Sequence, residues 1–453
     1  MSTPPLASGP EGPDALRPLL DTVLHALAEG TAARGGPLPA GGPEHVASRL
    51  RAALGDPLPH HGSADALHTL VRALAEGAAD PADPLCAAHL HCPPLAVATA
   101  ADLAASALNP SLDSWDQAPA ASELETLLTQ TLAHQVYGTR GDALVTTGGT
   151  ESNQLALLLA RERHNGVQLV CGEGAHHSLH RATWLLGLPE PVVVPAPAGT
   201  LDPAALDSAL TDLRGPLLVA ATAGTTDAGL IDPLPDIAEL CATHGARLHI
   251  DAAYGGGLLF SDRHRTKLDG LARADTVTLD LHKLGWQPAA AGLLAVRDPA
   301  DLTPLGHRAD YLNADDDTEA GLPDLLGRSL RTTRRPDILK IAVTLKTLGR
   351  HGIGELVDQV CAHAHELADL IAAHPGFELY DRPAISTVLF RPTGATDDTV
   401  AAVRRTLLNE GRAVLGRATL DGRRWLKATL LNPHTRPGDL ATLLKLVEGH
   451  TPQ

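Results

Sequence analysis

Lys283 stands just past the end of an apolar run in TLDLHKLGWQPAAAG (278–292), beside His282 and ahead of a series of small residues. A lysine in that position is usually a surface charge, but its neighbours point elsewhere. Upstream, HIDAAYGGG puts Asp251 at the end of a second buried strand, where a carboxylate is rarely left without a cationic partner. The pyridinium nitrogen of a bound cofactor is such a partner. Asp251 would keep it protonated and strengthen the ring as an electron acceptor, and Lys283 would hold the aldehyde of the same cofactor as a Schiff base.

Three further segments suit the same site. LVTTGGTESNQLALLLARER (144–163) runs from a strand through Gly148, Gly149 and Thr150 into a helix, offering free backbone N–H groups and a positive dipole end to a phosphate. It is neither a Walker A loop nor a G-x-G-x-x-G dinucleotide turn. EGAHHSLHRATWLLG (173–187) opens a helix with His176, which alone needs no function but in this company is the candidate to stack on a cofactor ring. ATAGTTDAG (221–229) ends a strand with Thr225 and Thr226, either of which can face the site.

The elements that must position these residues follow from periodicity. Strands are predicted at 143–147, 167–172, 191–196, 216–223, 247–253, 275–280 and 292–298, with helices at about 151–162, 177–186, 203–213 and 235–244. That rhythm specifies an α/β core around a mostly parallel seven-stranded sheet covered on both faces. Before it, loose Gly- and Pro-rich stretches (1–13 and 30–45) flank a helix near 14–28, and a helical stripe at 64–78 stops before Pro81 and Pro84. After it comes a polar, acidic stretch, DYLNADDDTEAGLPD (310–324), expected to be a mobile loop, then helices at 336–349 and 354–373. TVLFR, AVLGRATL, RWLKATLL and helices near 397–410 and 437–448 complete a small α+β domain. The organisation is an N-terminal helical arm (1–84), a large α/β domain (85–300), and a loop plus C-terminal domain (301–453).

The 453 residues, 44% of them apolar and 20% charged, suit a folded chain with a large core. The formal charge of −17 repels nucleic acid and anionic lipid. No apolar run reaches the roughly eighteen residues of a membrane helix, and the N-terminus has no signal-peptide pattern, so a cytoplasmic protein is expected. Five scattered cysteines without C-x-x-C read as reduced thiols. His89 and His91 share one face of an extended stretch, but no third ligand pattern accompanies them, so no metal is expected. The run Asp315, Asp316, Asp317 reads as a solvated loop.

Taken together, SLDSWDQAPAASELE, TTGGTESN, EGAHHSLHRA, AGTTDAGLIDPL, HIDAAYGG, DLHKLGWQP and SLRTTRRPDILK resemble the group II pyridoxal-phosphate-dependent amino-acid decarboxylases. The likeness runs in order from about 85 to 450 and is greatest to the bacterial branch acting on lysine, ornithine or 2,4-diaminobutyrate. It implies the fold type I architecture of pyridoxal-phosphate-dependent transferases, pyridoxal 5'-phosphate as cofactor, and a homodimer with shared active sites. By position, Lys283 is implied as the Schiff-base lysine, Asp251 as the ring-nitrogen partner and His176 as the stacking histidine. Ala253 is implied on the other ring face. Gly149, Thr150, Asp280 and His282 correspond to the phosphate side, Thr225 or Thr226 to a contact near the ring oxygen, and Lys427 to a basic residue for the substrate carboxylate. Trp115 falls in a segment that the resemblance places at the dimer-built substrate channel.

The chain also departs from that pattern. Where the family carries a proton-donating tyrosine on a mobile loop, this sequence has Gly321-Leu322, which leaves Tyr311 or His176 as substitute donors. Gly285 stands where the branch often has an aromatic residue, and His91 where it usually has Asn; both reshape the substrate pocket. The implied reaction is loss of CO2 from an L-amino acid to give the amine, with a diamino acid as the substrate class the resemblance implies. The alternatives are an oxidative, aldehyde-forming enzyme or another lyase on the same cofactor.

Overall fold

The computed structural model of the protein describes residues 3–306 and 309–452. In chain order it opens with helices α1 (Gly12–Arg34), α2 (Gly42–Leu54) and α3 (Ala66–Gly77), the two-residue strand β1 (Cys86–Ala87), and helices α4 (Ala96–Leu108) and α5 (Pro119–Tyr137). An alternating run follows: β2 (Asp142–Thr146), α6 (Gly149–His164), β3 (Gln168–Gly172), α7 (His177–Leu185), β4 (Val192–Val194), α8 (Pro203–Asp212), β5 (Leu217–Thr222), α9 (Leu234–His244), β6 (Arg247–Ala252), β7 (Thr276–Asp280) and β8 (Gly292–Val296). Then come the short helices α10 (Asp310–Asn313) and α11 (Asp315–Glu319) and the long α12 (Ile338–Ala373). The chain finishes with β9 (Phe377–Leu379), β10 (Thr387–Pro392), α13 (Asp397–Asn409), β11 (Val414–Leu420), β12 (Arg423–Thr429) and α14 (Pro437–Gly449).

These elements form two compact units, one of residues up to 93, 363–382 and 387 onward, the other of residues 94–362 and 383–386. This division differs from the three segments expected from sequence. The N-terminal segment joins the C-terminal sheet because β1 pairs in parallel with β11, Cys86 opposite Val414 and Ala87 opposite Leu415. In that first unit the strands run in the order β1-β11-β12-β10-β9. Its core gathers Leu367 and Ile371 of α12 with Val388, Phe390, Leu407, Leu426 and Leu443. Helix α1 approaches α3 closely through Gly30, where a Cβ would fall 2.5 Å from the Arg72 carbonyl oxygen.

The second unit is built on a seven-stranded sheet in the order β2-β8-β7-β6-β5-β3-β4. Only β8 runs antiparallel to its neighbours β2 and β7, so the sheet is mostly parallel, and every residue of central β5 is buried. Burial on both faces explains why these strands read as continuous apolar runs rather than alternating ones. Helix α6 lies across the sheet, contributing Leu157 and Ala160 to a core with Leu169, Leu179 and Leu218. Its Leu155 and Leu159 enter another core with Leu144, Leu294 and Leu302. The ends of β5, β6 and β7 open at the C-terminal edge, where ligands bind in sheets of this kind.

Five helices were not foreseen, α2, α4, α5 and the short α10 and α11. In α2 the Gly-Gly-Pro of residues 41–43, which resembles a loop, is a helix start with proline in the first turn. Helices α4 and α5 lie in a stretch whose small residues carry little periodicity. The two helices expected at 336–349 and 354–373 are present as the two halves of α12, which meet at the non-helical Gly349, whose φ of 66° only glycine tolerates cheaply. The acidic stretch expected to be a loop contains α10 and α11. Among the described residues no cysteine is in a disulfide. Burial pushes the thiols of Cys86 and Cys171 up to about 11 and those of Cys241 and Cys361 up to about 12, which marks them as packing residues rather than nucleophiles. Among the described residues no helix is long and apolar enough to cross a membrane.

Candidate active site

Two neighbouring parallel strands of the second unit end in carboxylates. Asp251 on β6 and Asp280 on β7 are each 5% exposed. Register aligns Asp251 with Thr222 of β5 on one side and with Thr278 of β7 on the other. The Asp251 carboxylate accepts hydrogen bonds from the Ala253 backbone N–H (3.1 Å) and from Asn153 Nδ2 (2.8 Å), two neutral donors. Asp280 Oδ2 lies 3.1 Å from Lys283 Nζ and 3.5 Å from His282 Nε2, and its Oδ1 is buried without a hydrogen-bond partner.

The strand-to-helix turn at Gly148 and Gly149 closes over this cluster. A Cβ on Gly148 (φ 149°) would sit 2.9 Å from His282 Cε1, and one on Gly149 would sit 3.0 Å from Ala253 Cβ and 3.2 Å from Asp280 Oδ2. Any side chain would therefore fill the floor of the site. Helix α6 begins here with no side-chain cap at Gly148, leaving its first-turn N–H groups and dipole end to a ligand. Glu151 instead accepts from the Thr147 backbone (2.6 Å) and hydroxyl (2.7 Å), which fixes the turn.

His176 caps α7, its Nδ1 lying 2.8 Å from Ser178 Oγ and 3.3 Å from the Ser178 backbone nitrogen. Burial lowers its affinity for a proton, opposed by the charge of Asp251; His177 and Lys283 add to the lowering and Asp280 opposes it. These groups therefore share one electrostatic neighbourhood. His282 is likewise lowered by burial, against the pull of Asp280.

The structure thus gathers Gly149, His176, Asp251, Ala253, Asp280, His282 and Lys283 in one unit. Thr225 is buried and its hydroxyl accepts from the Leu230 backbone N–H (3.1 Å), whereas Thr150 and Thr226 are exposed. Trp115 is 38% exposed. Its segment is tied to the SLRTTRR segment, Leu112 N–H donating to the Arg334 carbonyl (3.0 Å) and Arg334 N–H to Ser111 Oγ (3.3 Å). Tyr311 is 83% and Leu322 37% exposed. His91 and Lys427 belong to the first unit. There Lys427 is buried on β12 opposite Gly416, and it and Arg404 oppose protonation of His89, alongside desolvation as the main cause.

Sequence reasoning missed Asn153, Ser178, Thr278 and His249, all fully buried and all bonded into the Asp251 cluster. The signal was available: polar residues at 152 and 153 interrupt the buried face of a helix that is otherwise Leu and Ala. Among the described residues, His25, Glu29 and His68 also place metal-ligating atoms together. Arg72 Nε lies 3.6 Å from the same Glu29 carboxylate, a poor neighbour for a cation.

These residues fit pyridoxal phosphate. The uncapped helix and glycine floor suit a phosphate, the buried Asp251 carboxylate with only neutral donors on it suits a cationic heterocycle, and Lys283 Nζ suits an aldehyde.

Comparison with known proteins gives the same picture. Residues 59–393 match the model of the pyridoxal-dependent decarboxylase conserved domain. The chain is 42% identical over 416 residues to an L-2,4-diaminobutyrate decarboxylase of Rhizobium meliloti (strain 1021), covering 86% of this chain and 83% of that one. It is 33% identical to the enzyme of the same name from Acinetobacter baumannii, over 80% and 78% of the two chains. Among solved structures it resembles the glutamate decarboxylase domain of a diaminobutyrate-pyruvate transaminase and L-2,4-diaminobutyrate decarboxylase from Vibrio parahaemolyticus. That match has a TM-score of 0.86 at 30% identity, over 98% of this chain and 97% of the other.

Proposed function

This chain belongs to the pyridoxal-dependent decarboxylase family and is a pyridoxal-phosphate-dependent amino-acid carboxy-lyase, and on that premise we propose that its substrate is a small L-diamino acid of the 2,4-diaminobutyrate kind. The observation that carries the substrate class is the 42% identity to a 2,4-diaminobutyrate decarboxylase across 86% of the chain.

We assign the reaction to the strand-end cluster. Bound pyridoxal phosphate supplies an electron sink for the bond to the departing carboxylate. Lys283 would hold it through its aldehyde, Asp251 would keep its ring nitrogen protonated, and His176 and Ala253 would flank the ring. Gly149, Thr150, Asp280 and His282 would line the phosphate side, and Thr225 or Thr226 the ring oxygen. Asp280 orients the Lys283 ammonium at 3.1 Å, so that Nζ is pre-positioned rather than free to swing into solvent. Burial around Asp251 excludes water and lets its charge act in a low-dielectric surrounding. Trp115, His91 and Lys427 are read as substrate contacts, Lys427 supplying a cation for a carboxylate.

A second reading rests on Leu322, an apolar side chain where a donor is expected. If no group delivers a proton at Cα in time, one O2 and one water are consumed, and aldehyde, ammonia, CO2 and hydrogen peroxide are released in place of the amine. Incubating the purified holoenzyme with a panel of amino acids while recording CO2, amine and peroxide tests both. The expected outcome is CO2 and amine in equal amounts, fastest with a short diamino acid. Activity confined to aromatic or acidic substrates would overturn the substrate class.

We also read the protein as a cytoplasmic homodimer. Leu24 and Leu27 of α1, Leu50 and Leu54 of α2 and Leu74 of α3 are exposed, an apolar surface that a second copy would cover. Light scattering on the purified protein should give twice the chain mass.

A further inference from the structure

Asn153 is fully buried and satisfies all four of its side-chain hydrogen-bonding positions. Nδ2 reaches Asp251 Oδ2 at 2.8 Å and Ser178 Oγ at 2.9 Å. Oδ1 meets Thr278 Oγ1 at 2.8 Å and His249 Nε2 at 3.0 Å. An ionised carboxylate only accepts, so the amide nitrogen must be the end that faces Asp251, and the rest of the network is then directed. The amide oxygen only accepts, so His249 presents a proton on Nε2, and its Nδ1 lies 2.9 Å from Thr276 Oγ1. Burial pushes the His249 imidazole down to about 4 against the pull of Asp251, in keeping with a neutral ring.

The other branch runs to the site. Ser178 Oγ accepts from Asn153, which leaves its own proton for His176 Nδ1, 2.8 Å away. The Ser178 backbone N–H also points at Nδ1, at 3.3 Å. Two donors converge on one ring nitrogen, so a proton there would face them both.

We propose that Asn153 and Ser178 are positioning residues that fix His176 as the neutral ring protonated on Nε2, through a chain of directed hydrogen bonds that begins on the Asp251 carboxylate. His176 then enters the reaction with Nδ1 occupied and Nε2–H as its single donor. Any proton or hydrogen bond it gives to substrate comes from Nε2. The same chain makes the charge of Asp251 felt at His176 through oriented bonds as well as across space. This inference rests on reading His176 as a residue of the active site.

Nitrogen NMR of the protein labelled with 15N-histidine tests it, with the His176 signals identified as those missing from His176→Gln. In the wild type, with cofactor removed and with it bound, His176 should show a protonated Nε2 and a bare Nδ1 from pH 6 to 9. Ser178→Ala should mix the two tautomers and move the His176 titration upward by about half a pH unit, as expected when a hydrogen bond to the neutral form is lost. Ser178→Thr, which keeps the hydroxyl, should restore both. The titration is read against the other charges that face this ring, Asp251, Asp280, Lys283 and His177, none of which these variants alter.

Asn153→Ala should give the same mixing. Should that variant fail to fold, the two Ser178 variants decide the matter. A protonated Nδ1 in the wild type, or a tautomer and titration unchanged in Ser178→Ala, would overturn the proposal. A protein that shows the expected tautomer but decarboxylates nothing would support the proposal and overturn the functional reading.

Discussion

Two parts of the second unit differ in how firmly their side chains are held. Around Asp251 the polar side chains of Asn153, Ser178, Thr278 and His249 are fully buried and tie three elements together, α6, α7 and the sheet. From Ala309 to Pro323 most described side chains are exposed, the hydrogen bonds include Ala309 N–H to Asn313 Oδ1 at 2.8 Å and Leu322 N–H to the Asp317 carbonyl at 2.9 Å, and Tyr311 is 83% exposed. Tight anchoring resumes at Asp324. Arg328 binds both oxygens of Asp142 (2.6 and 2.9 Å), and Arg334 both oxygens of Glu125 (2.9 and 2.6 Å). The residues that would bind and polarise the cofactor thus sit on the buried, cross-linked part of the fold. Tyr311 and Leu322, which bear on what happens after CO2 leaves, sit on an exposed span of short helices. Breaking the reaction and redirecting it should therefore need changes in different places.

The largest effect is expected at the firm end. Lys283→Ala and Asp251→Ala should each lower kcat/KM by on the order of 10^3-fold or more. Lys283→Ala should also lose the near-ultraviolet and visible absorption of the bound cofactor. Steady-state rates and an absorption spectrum check both, and a variant that keeps a tenth of wild-type activity would remove that residue from the cluster's function.

The boundary between the two parts is sharpened by the Glu125–Arg334 pair, whose side chains are 3% and 1% exposed. Glu125→Ala strands a buried guanidinium and should cost about 3–5 kcal/mol in urea unfolding. Its effect on kcat/KM should be small if folding is maintained by bound cofactor.

The firm region should also set the acid limit of stability. His249 is held neutral, its folded value of about 4 lying below the ordinary 6.5. Between those values the unfolded chain binds the extra proton, so this contribution is complete above about pH 6.5 and is lost as the pH falls toward 4. His249→Gln, which can still donate to Asn153 Oδ1, should flatten that part of the curve of unfolding free energy against pH.

The same contrast explains what could be read from sequence. All seven sheet strands were legible because buried parallel strands are unbroken runs of Val, Leu, Ile and Ala. Lys283, Asp251 and His176 were legible because charged or titratable residues at strand or helix ends stand out against them. For Asn153 the interrupted apolar face of α6 was the available signal, but its meaning lies in a partner, Asp251, ninety-eight positions away, while Ser178, a polar residue in the first turn of a helix, is ordinary. The joining of the N-terminal segment to the C-terminal sheet was illegible because it runs through β1, two residues long. No periodicity can be read from two residues.

The smallest expected effect, on product rather than on rate, lies in the exposed span of Tyr311 and Leu322. Leu322 can supply no proton, while Tyr311 carries a phenol on a neighbouring turn and His176 an Nε2–H in the firm region. If the span closes over substrate with Leu322 at the donor position, Cα waits longer for its proton and some turnover is diverted to oxygen. Leu322→Tyr should then lower peroxide relative to amine, by about 10-fold or more, since a placed general acid is worth roughly 10^2 to 10^4 in rate. If Tyr311 is the donor, Tyr311→Phe should raise peroxide while Leu322→Tyr changes little. If His176 is the donor, His176→Gln should do so, and this outcome alone would move product choice from the exposed span into the firm region. Measuring amine, aldehyde and peroxide for the three variants separates these cases, because each predicts a different variant as the one that shifts the ratio. A ratio that none of them shifts would show that product choice is made elsewhere than at Leu322, Tyr311 or His176.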